Sequence, residues 1–394
     1  MNDTFYIELV CEQRNYGNER ICGDVFLSRK IIEENRTIAV LSDGMGHGVK
    51  ANVLATLTST MSINFTAEHK DPEKIADIIM NTLPVCSERQ MSYSTFTVLD
   101  IEADGMTTIL EYDNPKAIVI RNNKLFDPNW QYTVLHTAKN EGKEIRTCRF
   151  KPQKEDRIIF CTDGITQSGL GTEKFPLGWG LENLEQYAES LLKNSPHISA
   201  AMLSEKIVNT AHRNDNYFSK DDTTCASVYF REPRKLLIST GPPFEEENDV
   251  KLGKAVKEFK GKKIVCGATT ADIIARETGV TIEDSIDFID PELPPISSMP
   301  GIDLVTEGIL TITKVTRILK DYSPSYSLGN GPADRIVKLV KESDEINIII
   351  GTRINIAHQD PNLPVELEIR RTVVKRMARL LEEKFLKEVS VTYI

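Results

Sequence analysis

Long hydrophobic runs are missing from this sequence of 394 residues. No segment approaches the roughly 20 apolar residues that a membrane-spanning helix requires, and residues 1–5 lack the basic and then apolar pattern of a signal peptide. Paired cysteines are missing as well: the seven cysteines lie scattered, without a Cys-x-x-Cys pair, and several lie inside apolar strand-like runs. These absences argue against a membrane partner and a disulfide framework, and they predict a reduced, cytoplasmic protein.

An excess of basic residues is also missing, although a local basic patch would be compatible with the composition. The sequence holds 48 Lys and Arg residues against 58 Asp and Glu residues, which gives a formal net charge of -10, and it contains no run of basic residues. Because the phosphate backbone of a nucleic acid requires basic contacts, this balance argues against a nucleic-acid partner and disfavours a metal-dependent nuclease. The remaining composition is that of an ordinary globular protein, with 40% hydrophobic and 27% charged residues.

The two halves of the chain differ in rhythm. Residues 1–232 group short strand-like runs around a few longer helical segments, which predicts sheets covered by helices. Residues 233–394 alternate strands and helices, which predicts a doubly wound parallel α/β domain. At this length two domains are the default expectation, and we predict the boundary near Arg231-Glu232-Pro233-Arg234.

Four acidic motifs in the first half share one pattern, a strand that ends at Asp, often with Gly beside it. They are Cys22-Gly23-Asp24, Ser42-Asp43-Gly44, Thr162-Asp163-Gly164 and Lys220-Asp221-Asp222. A single Asp-Gly pair is usually a turn, but several carboxylates that converge at strand ends repel one another unless a cation lies among them. Because carboxylate oxygens are hard ligands, the set predicts a site for Mg²⁺ or Mn²⁺.

The loop after Asp43 is rich in glycine. Gly44, Gly46 and Gly48 permit a tight backbone of positive φ and the close approach of a ligand, and they would let the Gly44 carbonyl turn toward a metal. A helix predicted over about residues 49–65 would point its N-terminus into the same region, which favours an anion there.

The order of the motifs is Gly-Asp, then Asp-Gly-x-Gly-x-Gly, then Thr-Asp-Gly, then Asp-Asp-x-Thr. This order resembles the metal-dependent protein phosphatase family, also called the protein phosphatase 2C family. The similarity spans about residues 5–230 and is closest to the bacterial sporulation stage-two E branch. It implies an N-terminal α-β-β-α layered phosphatase domain, a β-sandwich flanked by helices, over residues 1–232. The C-terminal half resembles no family that we can name.

The resemblance also implies roles for the acids. It implies ligands for two divalent cations, Mn²⁺ or Mg²⁺, at Asp24, Asp43, Gly44 (through its carbonyl), Asp163, Asp221 and, ranked below the others, Asp222. Asp43 would bridge the two ions, and Asp43 and Asp163 are the expected catalytic residues. A water shared by two ions roughly 3.5–4 Å apart has a lowered pKa, and its hydroxide would attack a phosphoserine or phosphothreonine of a protein substrate in line.

The sequence departs from the eukaryotic members of the family in two places. Met45 stands where they carry a histidine proposed as a general acid, and His47, two positions further on, does not inherit that role from its position. Arg14 and Arg20 lie upstream of the first acid, but neither lies in a motif diagnostic of the phosphate-binding arginine. In the bacterial branch, the helix after the glycine loop is described as a regulatory switch that completes the metal site on dimerisation or partner binding. Residues 49–65 would form this helix, or an ordinary core helix, so a homodimer is among the expected states.

In the second half, four predicted strands end in small or hydroxyl residues. The carboxyl ends of parallel strands line one crevice, where ligands bind. Gly267, Thr269 and Thr270 lead into a helix and would hold a phosphate or carboxylate, and Arg353 would add a charge-assisted contact. Three further polar residues lie just beyond it: Asn355, His358 and Asp360. Such residues are also common helix caps and turn residues, and the ligand hypothesis is that this half senses a small anionic ligand or docks a partner.

Two functions fit these patterns. The first is an active phosphatase that acts on phosphoserine or phosphothreonine of a regulatory protein, controlled by the C-terminal domain. The second is a catalytically weak signalling module that keeps the phosphatase fold in order to sense a ligand and bind a partner. The acids at Asp24, Asp43, Asp163 and Asp221 are all intact, which favours the first, because a decayed metal site usually loses a carboxylate.

Overall fold

The structure is a computed structural model that describes residues 5–82, 94–135, 140–284, 289–323, 326–353 and 366–394. The chain forms two compact units, Met1–Glu232 and Pro233–Ile394. The last strand of the first unit ends at Arg231 and the first strand of the second begins at Lys235, so residues 232–234 connect the two units.

The first unit contains two antiparallel sheets. In spatial order, the six-stranded sheet consists of β2 (Asp24–Ile31), β3 (Arg36–Gly44), β4 (Ser94–Ile101), β5 (Thr107–Tyr112), β9 (Glu144–Phe150) and β8 (Gln131–Val134). The five-stranded sheet consists of β1 (Tyr6–Arg14), β11 (Thr223–Arg231), β10 (Arg157–Cys161), β6 (Ile118–Arg121) and β7 (Lys124–Phe126). All neighbouring strands in both sheets run antiparallel.

Helices cover the outer faces of both sheets. The helices of this unit are α1 (Gly48–Ala67), α2 (Pro72–Thr82), α3 (Asp163–Thr166), α4 (Leu181–Asn194) and α5 (Ala200–Asn214). Helices α1 and α2 share a hydrophobic cluster with the six-stranded sheet, and α4 and α5 share one with the five-stranded sheet. The layers are therefore helix, sheet, sheet and helix, the arrangement that the resemblance implies.

Strand β3 shows why these layers form. Side chains of a strand alternate between the two faces of its sheet. Leu41 packs in a cluster with Phe160 of the facing sheet, whereas the adjacent Val40 packs in another cluster with Ile79 of α2. Both faces of β3 are buried for this reason, and its end, where the acids lie, is held between a sheet and a helix layer.

The second unit contains one seven-stranded sheet. In spatial order its strands are β14 (Glu283–Asp284), β15 (Ser297–Met299), β16 (Ile302–Thr306), β13 (Lys262–Cys266), β12 (Lys235–Thr240), β17 (Glu345–Ile350) and β18 (Glu388–Tyr393). The five strands from β16 to β18 are parallel. Strands β14 and β15 extend the sheet in antiparallel fashion, so the sheet carries an edge that the sequence pattern did not predict.

Helices lie on both faces of this sheet as well. They are α6 (Asp249–Glu258), α7 (Ala268–Thr278), α8 (Ile309–Asp321), α9 (Pro332–Glu342) and α10 (Glu366–Glu383). Leu237 of β12 packs in a cluster with α6 and α7, and the adjacent Ile238 packs in a cluster with α8, α9 and α10. Burial on both faces explains why the strands of this unit are apolar without strict alternation.

No helix within the described ranges is both long enough and apolar enough to pass through a bilayer. The six cysteines that the described ranges contain are free thiols. The hydrophobic clusters, and no disulfide among these residues, therefore hold the described layers together.

Candidate metal centre

Five acidic side chains lie at one end of the first unit. Asp24 begins β2 and stands directly opposite Asp43 in the antiparallel pair with β3. Asp163 begins α3 just after β10, and Asp221 and Asp222 directly precede β11, which pairs with β10. Two strand pairs, one from each sheet, thus bring the acids of four separate sequence motifs together.

Asp24 connects the two sheets through hydroxyl groups. Its Oδ2 accepts hydrogen bonds from Thr162 Oγ1 at 2.8 Å and from Thr224 Oγ1 at 2.6 Å. Thr162 follows β10 and Thr224 lies in β11, whereas Asp24 belongs to the other sheet. Both threonines lie in the motifs quoted above, Thr-Asp-Gly and Asp-Asp-x-Thr, and their role in orienting a carboxylate emerges only from the structure.

Burial and mutual repulsion both act on these carboxylates. Burial raises the pKa of Asp43 well above its ordinary value, and the charges of Asp24, Asp163 and Asp221 raise it further. Burial raises the pKa of Asp24 to about 7, although its hydroxyl hydrogen bonds oppose the shift. Burial also raises the pKa of Asp221 to about 6, with the charge of Asp163 as the next cause. Because the charges of Asp24, Asp163 and Asp221 all act on the buried Asp43, the group requires a positive counter-charge to be fully ionised at neutral pH.

The carboxylate oxygens without partners fit a divalent cation. Asp24 Oδ1, Asp163 Oδ1 and Asp222 Oδ2 are buried and have no hydrogen-bond partner among the described residues, although buried polar atoms normally have one. In the part of the chain that the structure describes, no three Asp, Glu, His or Cys side chains are already arranged as a metal-ligand group. Mg²⁺ is usually bound through one or two carboxylates and keeps several waters, so these oxygens suit Mg²⁺ or the similarly hard Mn²⁺.

Three glycines beside the acids allow the elements of the centre to approach one another. A Cβ atom on Gly44 would lie 2.0 Å from the carbonyl oxygen of Ala51 in α1, and one on Gly164 would lie 2.1 Å from the carbonyl oxygen of Asp222. A Cβ atom on Gly23 would lie 2.7 Å from Asp222 Oδ2. Each glycine is therefore required by close packing between two parts of the centre.

The glycine loop itself differs from its predicted form in one respect. Gly46 and Gly48 have positive φ angles of +93° and +70°, as the loop pattern predicts. Gly44 does not, because it is still the last residue of β3. Its requirement for glycine comes from the contact with α1 and not from its backbone conformation.

An aromatic and acidic group lies at the rim of the centre. The ring of His47 stacks on Tyr16 with a centroid separation of 4.4 Å, and its Nδ1 lies 3.3 Å from Glu19 Oε1. The amide of Tyr16 donates a hydrogen bond of 2.9 Å to Asp222 Oδ1. His47 is half-exposed and precedes α1 without capping it. The sequence patterns did not predict the participation of Tyr16 and Glu19, because these residues lie outside the acidic motifs.

The sequence assigned no role to three other residues of the first unit, Arg14, Arg20 and Asp113. Arg14 donates a 2.7 Å hydrogen bond to Asn209 Oδ1, and Arg20 is exposed. Asp113 is an additional acid: burial raises its pKa, Arg146 opposes this rise, and the charge of Asp163 adds to it. Asp113 was not predicted because neither a glycine nor another acid lies directly next to it in the sequence.

The residues predicted to bind an anion in the second unit lie at the start of α7. Gly267, the residue before the first turn of this helix, has a φ of +114° and no side chain with which to cap it. Thr269 is exposed and Thr270 is buried. At the end of the neighbouring strand β12, Ser239 Oγ and Thr240 Oγ1 are buried without a partner among the described residues.

Arg353 lies against acids of the same unit. Its Nη1 and Nη2 are 3.8 Å from Glu246 Oε1 and 3.9 Å from Asp249 Oδ1, and its Nε donates a hydrogen bond to the carbonyl of Phe244. The sequence pattern predicted none of these partners. The three residues expected beyond it lie outside the described residues: Asn355, His358 and Asp360.

The sequence matches one protein family model. The family described as Stage II sporulation protein E (SpoIIE) matches residues 33–231, which is half of the chain. Comparison with curated proteins gives no match.

Solved phosphatase domains are similar to the first unit. The phosphatase domain of the cell fate determinant SpoIIE from Bacillus subtilis is 15% identical over 58% of this chain and 93% of that chain, with a TM-score of 0.43. RsbX in complex with magnesium is 18% identical over 57% and 95%, with a TM-score of 0.40. The SiaA-PP2C domain of Pseudomonas aeruginosa is 14% identical over 57% and 84%, with a TM-score of 0.41. At these identities the family model, and not these structures, establishes the relationship.

Gly44→Ala is expected to weaken both the fold and the metal centre. The new Cβ atom would overlap the carbonyl of Ala51, so α1 would have to move away from β3 at a cost of about 1–3 kcal/mol. Thr60→Ala, an exposed position on the same helix α1, is the control and should change neither the stability nor the Mn²⁺ affinity. Urea unfolding and Mn²⁺ titration would measure the effect, and unchanged Mn²⁺ affinity in Gly44→Ala would contradict it.

The stability of the protein in EDTA is expected to fall as the pH rises from about 4 to about 7. Unfolded aspartates lose their protons near pH 3.9, whereas Asp24 and Asp221 keep theirs in the folded protein to about pH 7 and about pH 6. The folded state thus binds more protons across this window, so stability present at low pH is lost with rising pH. Thermal unfolding at several pH values measures this slope; Asp24→Asn should flatten it, and a slope of opposite sign would contradict the repulsion described here.

Proposed function

The chain belongs to the stage II sporulation protein E family, a bacterial branch of the metal-dependent protein phosphatases, and we propose that its first unit hydrolyses phosphoserine or phosphothreonine on a regulatory protein. The observation that carries this proposal is the buried carboxylate group around Asp43, whose charges repel one another and whose partnerless oxygens suit hard divalent cations. A fold kept only to bind partners has no need of such an unfavourable group.

Each acid has a proposed role in holding the ions. Asp43, Asp163, Asp221 and Asp24 would hold the ions through their carboxylates, with Asp43 as the central ligand. The Gly44 carbonyl would add a ligand, and Asp222 is proposed as a lesser one. Bound Mn²⁺ or Mg²⁺ supplies a water of lowered pKa and offsets negative charge on the phosphoryl group.

The surrounding residues keep these carboxylates in position. The hydroxyls of Thr162 and Thr224 fix one oxygen of Asp24 and leave the other open. Gln167 Nε2 does the same for Asp163, with a 2.5 Å hydrogen bond to its Oδ2. Preorganised ligands of this kind lose little entropy when an ion binds. The N-terminus of α1, which lacks a side-chain cap, favours the negative phosphate group beside them.

Regulation belongs to the same proposal. The second unit is proposed to bind a small anionic ligand at Gly267, Thr269 and Thr270, with support from the partnerless hydroxyls of Ser239 and Thr240. Arg353 would bind that ligand in place of its acidic partners, which lie almost 4 Å away.

A cytoplasmic location is supported by the free thiols of the described cysteines. A homodimer is proposed from the kinship alone.

Asp43→Asn is expected to abolish catalysis and to stabilise the protein in EDTA. Loss of the central carboxylate should lower the hydrolysis of p-nitrophenyl phosphate with Mn²⁺ by roughly 100-fold or more. Loss of the buried charge should raise Tm in EDTA by about 2–4 °C, because the repulsion from Asp24, Asp163 and Asp221 is relieved. Glu33→Gln, an exposed acid in the turn between β2 and β3, is the control and should change neither value. Equal rates for Asp43→Asn and the wild type would remove the enzyme proposal in favour of the signalling module.

Thr269→Asp is expected to abolish stabilisation by inorganic phosphate. The measurement uses the Asp43→Asn background in EDTA, so that phosphate has no metal centre to bind. At about ten times its dissociation constant, phosphate should raise Tm by about 2–4 °C, and a negative charge at the start of α7 should cancel this rise. Thr313→Asp, an exposed position on α8, is the matched control. An equal Tm rise in both variants, or no rise in the parent, would contradict the proposed anion site.

A further inference from the structure

The loop before the last metal-centre acids holds two aromatic side chains out in solvent. Tyr217 is 70% exposed and Phe218 is 56% exposed. Asn216 and Tyr217 have φ angles of +55° and +64°, a left-handed conformation that is uncommon for residues other than glycine. Two such residues in succession are an unfavourable arrangement that persists only where surrounding contacts enforce it.

A buried aspartate enforces this conformation. Asp215 Oδ1 accepts a 2.7 Å hydrogen bond from the amide of Gly169, and its Oδ2 accepts one of 3.3 Å from the amide of Lys220. Lys220 Nζ donates a 2.9 Å hydrogen bond to the carbonyl of Leu170. The amide of Gly17 donates a 2.9 Å hydrogen bond to the carbonyl of Ser219. The loop is therefore fixed at both ends and to two neighbouring segments.

The aromatic rings rest on this frame without being covered by it. The ring of Phe218 lies over Gly17, where an added Cβ atom would be 3.2 Å from it. The ring of Tyr217 meets His212 edge to face at 5.6 Å. Leu170, bonded to the same loop through its carbonyl, is also exposed. We call Leu170, Tyr217 and Phe218 the apolar rim; fixed apolar side chains that remain in solvent are typical of interaction surfaces.

The apolar rim borders the metal centre along the chain. Phe218 precedes Asp221 by three residues, so their Cα atoms lie at most about 11 Å apart. The segment beneath Phe218 also contacts the centre, because the amide of Tyr16, next to Gly17, donates to Asp222 Oδ1. A peptide whose phosphate reaches these acids is therefore within reach of the rim.

We propose that the apolar rim docks the phosphoprotein substrate by binding an apolar side chain one to three residues away from the phosphorylated serine or threonine. This inference rests on the proposed function and specifies its substrate class. An extended peptide advances roughly 3.3–3.6 Å per residue, so the largest separation of the Phe218 and Asp221 Cα atoms corresponds to about three residues.

The size of the rim favours a peptide segment over a second copy of the chain. A stable protein interface buries about 800 Å² on each partner, with about 20–30 residues a side. Three side chains cover far less, but an aromatic anchor beside a fixed backbone is the kind of contact that dominates the binding of a single side chain.

The test compares two phosphoserine peptides that differ only beside the phosphoserine. One carries Leu at the second position on either side, and the other carries Ser there. The wild type should prefer the Leu peptide in kcat/KM by about fivefold or more, the loss expected for one significant interface contact. Tyr217→Asn/Phe218→Ala should bring this ratio near one; Asn is chosen because it tolerates the left-handed backbone. Ile32→Ala should keep the ratio, since Ile32 is more exposed but lies at the opposite end of β2 and β3.

Two further measurements distinguish a failure of the docking proposal from a failure of the proposed phosphatase activity. Turnover of p-nitrophenyl phosphate shows that the double variant is folded, and Phe218→Leu, which keeps an apolar side chain, should keep part of the preference. Non-hydrolysable phosphonate analogues of both peptides measure binding by fluorescence anisotropy. Rim-dependent binding without turnover in the wild type would overturn the proposed function and support the docking surface. Turnover with an equal ratio in wild type and double variant would overturn the docking surface alone. Loss of a dimer in the double variant, with the ratio unchanged, would assign the rim to a second copy and also overturn it.

Discussion

The repulsion among buried carboxylates at one end of the first unit is the constraint on which the remaining structure depends. Asp43 lies beside Asp24, Asp163 and Asp221 in a region where burial already disfavours its charge. Such a group persists only if the fold forces the acids together, and two sheets do so. The β2–β3 register sets Asp24 opposite Asp43, while β10 and β11 supply the other acids. Two threonine hydroxyls then fasten Asp24 across the gap between the sheets. A divalent cation at this position would offset the repulsion, which is the physical basis of the metal site proposed here.

Helix α1 is built into the same end of the sandwich. Its Ala51 carbonyl fits against Gly44 where a Cβ atom could not. Further along, Asn52 Nδ2 donates a 2.8 Å hydrogen bond to the carbonyl of Cys22, and Ser59 Oγ donates one of 2.9 Å to Ser42 Oγ. The helix therefore contacts residues within two positions of Asp24 and of Asp43. Because close-packed interiors transmit small shifts and do not absorb them, the position of α1 and the geometry of the two acids are mechanically coupled. The inner face of α1 is small and polar, so hydrogen bonds as well as apolar contacts join the helix to the strand ends that hold the two acids.

Features that depend on residues close together in the sequence were predictable, whereas features that depend on contacts between distant segments were not. The family and the phosphatase class were predictable from four short motifs, because the strand-end acids and their glycines are adjacent in sequence. The family match confirms both. The sequence predicted that position 44 requires glycine, but it did not predict the cause, which is the close contact with Ala51 of helix α1. Tyr16 and Glu19 were missed because nothing in their own segment marks them. In the second unit the antiparallel edge of β14 and β15 was missed, since strands of two and three residues are too short to show a period. The roles of individual acids as metal ligands remain predictions.

The second unit shows how one helix start can be open to an anion while its neighbour is closed. Helices α7 and α8 begin at the carboxyl ends of the adjacent strands β13 and β16, so the two N-termini present the same partial positive charge. At α8 the carboxylate of Glu307 already accepts hydrogen bonds from the amides of Leu310 and Thr311. At α7 the residue before the first turn is Gly267, which has no side chain that could cap the helix. The chain thus supplies its own anion at the start of α8, and Glu307 would repel a second anion there. This contrast supports the proposal that an external anion would bind at Gly267 and the threonines that follow it.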